Sequence, residues 1–150
     1  MKICFAASSG GHYEQLLMLK PLMAENESFI ITEKTPYASG TDNKTYYLPQ
    51  VNRKEARFPF RMIAIAFRSL WIYIKERPDV TITTGVLAMI PISLLTKLFG
   101  GKLIFIESFA KVTSPTETGK LMYKFADRFY VQWPQMKEIY PDAIYLGGIY

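Results

Sequence analysis

One cysteine, one histidine and no unbroken apolar stretch of membrane-spanning length distinguish this 150-residue chain. Cys4 has no mate and lies inside an apolar run, so no disulfide framework is possible, and a reducing compartment and a buried thiol are expected. The stretch from Val86 to Phe99 is too short for a bilayer and contains Pro91 and Lys97, so no crossing helix is expected. Met1-Lys2 leads directly into a strand-like run, so no secretory signal is expected either. The glycine-rich loop at 8–12 lacks both the spacing of a dinucleotide fingerprint and the lysine of a nucleoside-triphosphate loop, which withholds both of those readings. No internal repeat and no low-complexity tract interrupts the chain.

What is present is enough for one core. With 49% hydrophobic residues over 150, a single domain covering residues 1–150 is expected. Eighteen Lys and Arg against 13 Asp and Glu leave a charge of +5, which favours anionic partners. Apolar runs at 3–7, 29–32, 80–84, 103–106, 129–132 and, more weakly, 143–146 alternate with helical patterns. Those patterns cover 12–24, 60–76, 87–99, 119–126 and a short stretch after Pro134. Runs apolar on both faces, separated by helices, predict an α/β fold with a mostly parallel sheet and helices on both faces. The polar segment 33–52, with Pro36, Gly40, Asp42, Asn43 and Pro49, reads as a long connection holding a possible short strand at 45–48.

In such a sheet the loops at the carboxyl ends of the strands meet along one edge, where these folds bind ligands. Three of them carry polar or glycine-rich residues: 8–12, 84–85 and 107–118. Ser8-Ser9-Gly10-Gly11-His12 turns a strand into a helix, a layout in which unpaired backbone N–H groups can face a phosphate. The same residues also suit a tight turn with a capping serine and a surface histidine.

Residues 53–77 read RKEARFPFRMIAIAFRSLWIYIKER. Lys54, Arg61, Arg68 and Lys75 recur every seven residues and form one stripe, with Arg57 beside them. Nearly everything else is apolar, including Trp71, and the apolar arc is wider than one side of a sheet can cover. A basic, aromatic helix of this kind predicts an interfacial helix on anionic lipid, held by Lys54, Arg57, Arg61, Arg68, Trp71 and Lys75. The plainer alternative is a core helix with one solvated stripe. Nucleic acid is not expected, because the basic residues lie among bulky aliphatics.

Three segments in this order resemble the acceptor half of GT-B glycosyltransferases. They are Gly10-Gly11-His12, Pro78 to Gly85, and Ile104 to Ser108 followed by Gly119 to Arg128. The chain is similar to the membrane-associated subunit of the split N-acetylglucosaminyltransferase that extends dolichol-linked sugar. It also resembles bacterial counterparts in capsule and exopolysaccharide clusters and, more distantly, the amino-terminal domain of the enzyme that forms peptidoglycan lipid II. The resemblance implies a Rossmann-like half-domain on the cytoplasmic face of the cell membrane, peripherally bound. It implies that a separate donor-binding catalytic subunit uses a UDP-sugar, while this chain presents a polyprenyl-diphosphate-linked saccharide. No metal and no cofactor is implied.

Carried over by position, His12 is a candidate base for the acceptor hydroxyl or a phosphate-binding and capping residue. Glu107 is a candidate base, a hydrogen-bond acceptor for the sugar, or a strand-end carboxylate paired with Lys111 or Lys120. Ser9, Gly10, Gly11, Thr84, Gly85, Ser114 and Thr116 are candidates for acceptor or phosphate binding, with Thr118 and Gly119 beside them; ordinary helix capping by Thr116 or Thr118 is the alternative there. The relative has two glycines at the turn where this chain has Gly85 alone. Trp133-Pro134 and the segment 140–150 are aromatic-rich, and the resemblance makes the segment 140–150 part of the interface with the partner; the alternative is a last strand and its exit loop. The competing expectations are a free-standing small enzyme for a phosphorylated ligand and a non-catalytic membrane adaptor.

Overall fold

The structure is a computed structural model and describes residues 1–35 and 42–150. Pro36 and Gly40 of the expected long connection lie outside the described residues. The runs expected to be strands form β1 (Lys2–Ala7), β2 (Glu27–Glu33), β3 (Thr45–Leu48), β4 (Val80–Gly85), β5 (Lys102–Ile106), β6 (Arg128–Val131) and β7 (Ile144–Tyr145). They make one sheet in the order β3-β2-β1-β4-β5-β6-β7, and each described pairing is parallel.

Alternate residues of the strands feed two cores. On one face Cys4, Ala6, Phe29, Ile31, Tyr46 and Leu48 pack against Ile65 and Ile72 of helix α3 (Phe58–Glu76) and against Met89 and Ile92. Ile92 belongs to helix α4 (Ile90–Leu98). Farther along, Leu103, Phe105, Phe129 and Val131 pack with Met122 of helix α5 (Glu117–Met122), Met136 and Tyr140. On the opposite face Ile3, Phe5, Ala7, Ile30 and Ile82 are covered by Leu16 of α1 (Gly11–Leu17) and Met23 of α2 (Lys20–Glu25). Burial pushes the Cys4 thiol far above its ordinary pKa, in keeping with an inert core thiol.

The pattern at 12–24 is divided into α1 and α2 instead of forming one helix. Pro21 explains the division: its ring would meet the carbonyl of Leu17, and it is accommodated in the first turn of a new helix. Pro91 does the same at the start of α4, leaving Leu87–Met89 as a separate 3₁₀ turn. The stretch after Pro134 is a 3₁₀ turn, Pro134–Glu138.

Beyond α1 and α2, the second face of β4 to β6 carries half-buried Ile104, Ile106 and Tyr130. These line a cleft of ≈310 Å³ with Leu19, Leu22, Ile82 and residues 146–149.

At the opposite edge from the carboxyl-end loops, Glu76 closes α3. It is buried and accepts hydrogen bonds from Lys44, Tyr46 and, at 3.3 Å, Lys2. Burial disfavours its charge, but those three donors prevail and hold its pKa down to about 2.

Candidate acceptor site at the carboxyl edge of the sheet

β1 ends in a buried Ser8 and a half-buried Ser9, and Gly10 then takes φ +84°, a conformation that favours glycine. Gly10 and Gly11 are exposed, and a side-chain carbon built on either would meet nothing within 4 Å. The loop therefore faces open space. Its entry into α1 is closed by Tyr13 and Glu14 N–H groups donating to Gly10 O at 2.9 and 3.1 Å.

His12 is held by β4. Its Nδ1 lies 2.8 Å from the carbonyl oxygen of Thr84, and the Thr84 hydroxyl donates to the His12 carbonyl at 2.8 Å. A carbonyl can only accept, so the geometry assigns the proton to Nδ1 and leaves Nε2 with its lone pair in the neutral ring. Thr84 was expected among the phosphate-binding residues. The structure corrects this: Thr84 is fully buried and both its hydroxyl and its carbonyl engage His12.

Gly85 follows with φ +112°, and a side-chain carbon there would lie 3.8 Å from His12 Cε1. Val86 has φ +83°, a strained conformation for a β-branched residue.

Glu107 closes β5 and is 1% exposed. Its carboxylate accepts from Ser108 N at 2.9 Å, Thr116 N at 3.2 Å, Thr116 Oγ1 at 2.8 Å and Tyr140 Oη at 3.1 Å. Burial, and then the neighbouring Glu107 charge, raise the Tyr140 phenol. The expected pairing with Lys111 or Lys120 is not what forms, since Lys120 bridges Glu117 at 2.7 Å. Of the two expectations for Thr116, the capping one is what forms: its hydroxyl donates to Glu107 and caps α5 by accepting from Gly119 N at 2.8 Å. Glu107 and Thr116 thus shape the 107–118 loop from beneath. Thr118 and Gly119 are buried, while Ser114 is exposed on the loop.

The network also contains two residues that the motif reading passed over, Gln15 and Gln132. Phe109 N donates to Gln15 Oε1 at 3.3 Å, and Gln132 Nε2 donates to the same oxygen at 2.9 Å. Gln15 lies one turn after His12 in an otherwise apolar run, which is the signal available for it. Gln132 has none, because its partners are remote in sequence.

The basic helix has two opposed faces. Ile65, Ser69, Ile72 and Glu76 are buried, while Phe60, Ile63, Phe67, Trp71 and Ile74 are exposed, Phe60 by 74% and Phe67 by 70%. The arc was expected to be too wide for the sheet, and the exposed row is the part left over. Arg61, Arg68 and Lys75 border it, with Arg68 and Lys75 lying 4.7 and 4.9 Å from the centre of the Trp71 ring. Arg61 bridges Glu55 at 3.0 Å. Lys54 is corrected: it precedes the helix, which begins at Phe58, and Arg57 is its N-cap. No described helix is long and apolar enough to cross a membrane.

A profile of the family described as "Oligosaccharide biosynthesis protein Alg14 like" matches residues 49–149. The chain belongs to this family. The mouse UDP-N-acetylglucosamine transferase subunit ALG14 is 27% identical in an alignment covering 99% of this chain and 83% of that protein. The subunit of the same name from Yarrowia lipolytica is 29% identical over 97% of this chain and 80% of that protein. Among solved structures, Acinetobacter baumannii MurG superposes with a TM-score of 0.67 at 16% identity over 89% of this chain. The UDP-N-acetylglucosamine 2-epimerase of Rickettsia bellii gives 0.73 at 10% identity over 99%. The chain spans only 41% and 45% of those two structures. The Alg14-like chain therefore has the Rossmann-like half-fold of GT-B proteins.

Proposed function

We propose that this Alg14-like chain is the membrane-docking, acceptor-binding subunit of a two-chain inverting glycosyltransferase, with its donor site on a separate catalytic polypeptide. The observation that carries the proposal is that the exposed row of α3 starts at the same edge as the His12 loop. α3 joins two parallel strands, so it runs back from the carboxyl edge, and its first turn, with Phe60, lies at that edge on the face of the sheet opposite α1. A lipid-linked acceptor reaching up from a membrane beneath α3 would bring its diphosphate to that edge.

In this reading residues 1–150 act as one acceptor-binding half-domain, peripheral on the cytoplasmic face of the cell membrane. Arg57, Arg61, Arg68 and Lys75 contribute about 1 kcal/mol each near anionic lipid, and the exposed aromatics enter the interface. Ser9, Gly10, Gly11 and Ser114 contact the acceptor. His12 Nε2 accepts the proton of the attacking hydroxyl as the sugar is transferred from the UDP-sugar held by the partner. Glu107, Thr84 and Thr116 position these loops.

The named relatives support UDP-N-acetylglucosamine as the donor class. The acceptor is a polyprenyl-diphosphate-linked saccharide of the kind assembled in capsule and exopolysaccharide synthesis. The ≈310 Å³ cleft and the segment 140–150 form part of the face offered to the catalytic chain.

Vesicle flotation tests the docking. Wild-type chain is expected to float with vesicles containing anionic phospholipid, to carry the catalytic chain with it, and to be released by salt. Failure to float at low salt would remove the membrane role.

A further inference from the structure

Two buried carboxamides lie directly beneath the loop cluster, and neither takes part in the chemistry described above. Gln15 is 5% exposed and Gln132 4%. Gln132 Nε2 donates to Gln15 Oε1 and to Glu107 O, each at 2.9 Å, and Gln132 Oε1 accepts from Ile149 N at 2.9 Å. The assignment has one consistent solution. Glu107 O can only accept and Ile149 N can only donate, which fixes Gln132; two donors then converge on Gln15, which must present its oxygen.

The pair ties together α1, the end of β5, β6 and the segment after β7. That segment lies over the 107–118 loop: Gly148 packs on Phe109, and the Tyr150 ring meets the Phe109 ring edge-on at 5.1 Å. Trp133 Nε1 donates to Phe109 O at 2.6 Å. Leu146 and Tyr150 are nevertheless 81% and 60% exposed, so the segment is both seated on the network and open to a partner.

α1 has seven residues and no side-chain cap, too short to be stable alone, so its rotation is set by what grips it. Leu16 and Tyr13 pack it on the core, His12 holds it to Thr84, and Gln15 holds it to Gln132 and the Phe109 N–H. Gln15 and His12 are one turn apart, so releasing the carboxamide lets the histidine turn with the helix.

We infer that Gln132 is a positioning residue for His12, acting through Gln15, and that seating of Ile149 on Gln132 sets it. The inference rests on the reading of His12 Nε2 as the acceptor-facing atom. A partner that grips Leu146 and Tyr150 thereby reaches the loop that holds the acceptor.

Because His12 is the sole histidine, the nitrogen resonances of one imidazole report the outcome. In the full chain the neutral ring is expected to show protonated Nδ1 and unprotonated Nε2. In Gln132→Leu and in Ile149→Pro, which deletes the donor that Gln132 accepts, the two tautomers are expected to mix. Transfer by the two-chain complex should then fall on the order of 10- to 100-fold in kcat with KM for the UDP-sugar unchanged.

If Gln132→Leu does not fold, Ile149→Pro on the open segment carries the test. An unchanged imidazole pattern in the folded variants overturns the inference, whatever transfer does. A changed pattern with unimpaired transfer sustains the coupling and overturns the role given to His12.

Discussion

The Nδ1 of His12 and the carbonyl oxygen of Thr84 lie 2.8 Å apart, and the Thr84 hydroxyl returns a second hydrogen bond to the His12 backbone. Two residues 72 apart in sequence thus form a reciprocal pair that fixes the ring's tautomer. Thr84→Val keeps the shape and removes the hydroxyl. It is expected to lower stability by about 1–2 kcal/mol in urea unfolding and to reduce transfer by the complex. His12→Ala is expected to reduce transfer by the complex to the level of the donor-binding chain alone and to leave vesicle binding near wild type, with a stability loss of about 1–2 kcal/mol because the buried Thr84 carbonyl loses its partner.

Gly119 is the tightest position beneath the site. A side-chain carbon there would lie 2.0 Å from Glu107 Oε2 and 2.8 Å from Thr116 Oγ1. Gly119→Ala must displace the buried carboxylate or the cap, and a loss of about 3 kcal/mol in chemical denaturation is expected. Glu107→Gln leaves a donor facing N–H and O–H groups, and is expected to be destabilising as well. A Glu107→Gln protein with wild-type stability but no transfer would instead make Glu107 a base.

Acid sensitivity follows from Glu76. Its folded pKa, about 2, lies below the unfolded value of about 4.5, so the stability it adds is complete above the latter and disappears as pH falls through the former. The urea midpoint should decline between about pH 4.5 and pH 2. Glu76→Gln should be less stable at neutral pH and should flatten that decline.

The two faces of α3 make opposite predictions. Phe60→Ser with Phe67→Ser alters only exposed side chains, so stability should change by less than about 0.5 kcal/mol while vesicle binding is lost. Ile65→Ala or Ile72→Ala, on fully buried residues, should lose about 2–5 kcal/mol and leave binding by the folded fraction intact.

The strands were legible because residues such as Ile3 to Ala7 and Val80 to Thr84 are buried on both faces, and burial on both faces writes an unbroken apolar run. α3 was legible for a related reason: its surplus apolar residues could not all face the sheet. The division at Pro21 was missed because Leu16, Leu19, Leu22 and Met23 keep helical spacing across it, while the break depends on one ring and one carbonyl.

Within the site, the glycine conformations and the histidine were visible in the motif. The partners of Glu107 were not: Thr116 and Tyr140 stand 9 and 33 residues away, and only the fold brings their hydroxyls to one carboxylate. Thr84 looked like a ligand group for the same reason, since its burial against His12 depends on β1 and β4 being neighbours.

Sugar transfer from UDP-N-acetylglucosamine to a polyprenyl-diphosphate-linked saccharide in anionic vesicles tests the division of labour most directly. It is measured with this chain alone, with a donor-binding catalytic chain alone, and with both. Transfer should be absent with this chain alone, low with the donor-binding chain, and strongly raised when the two are combined. Full transfer by this chain alone would contradict the account.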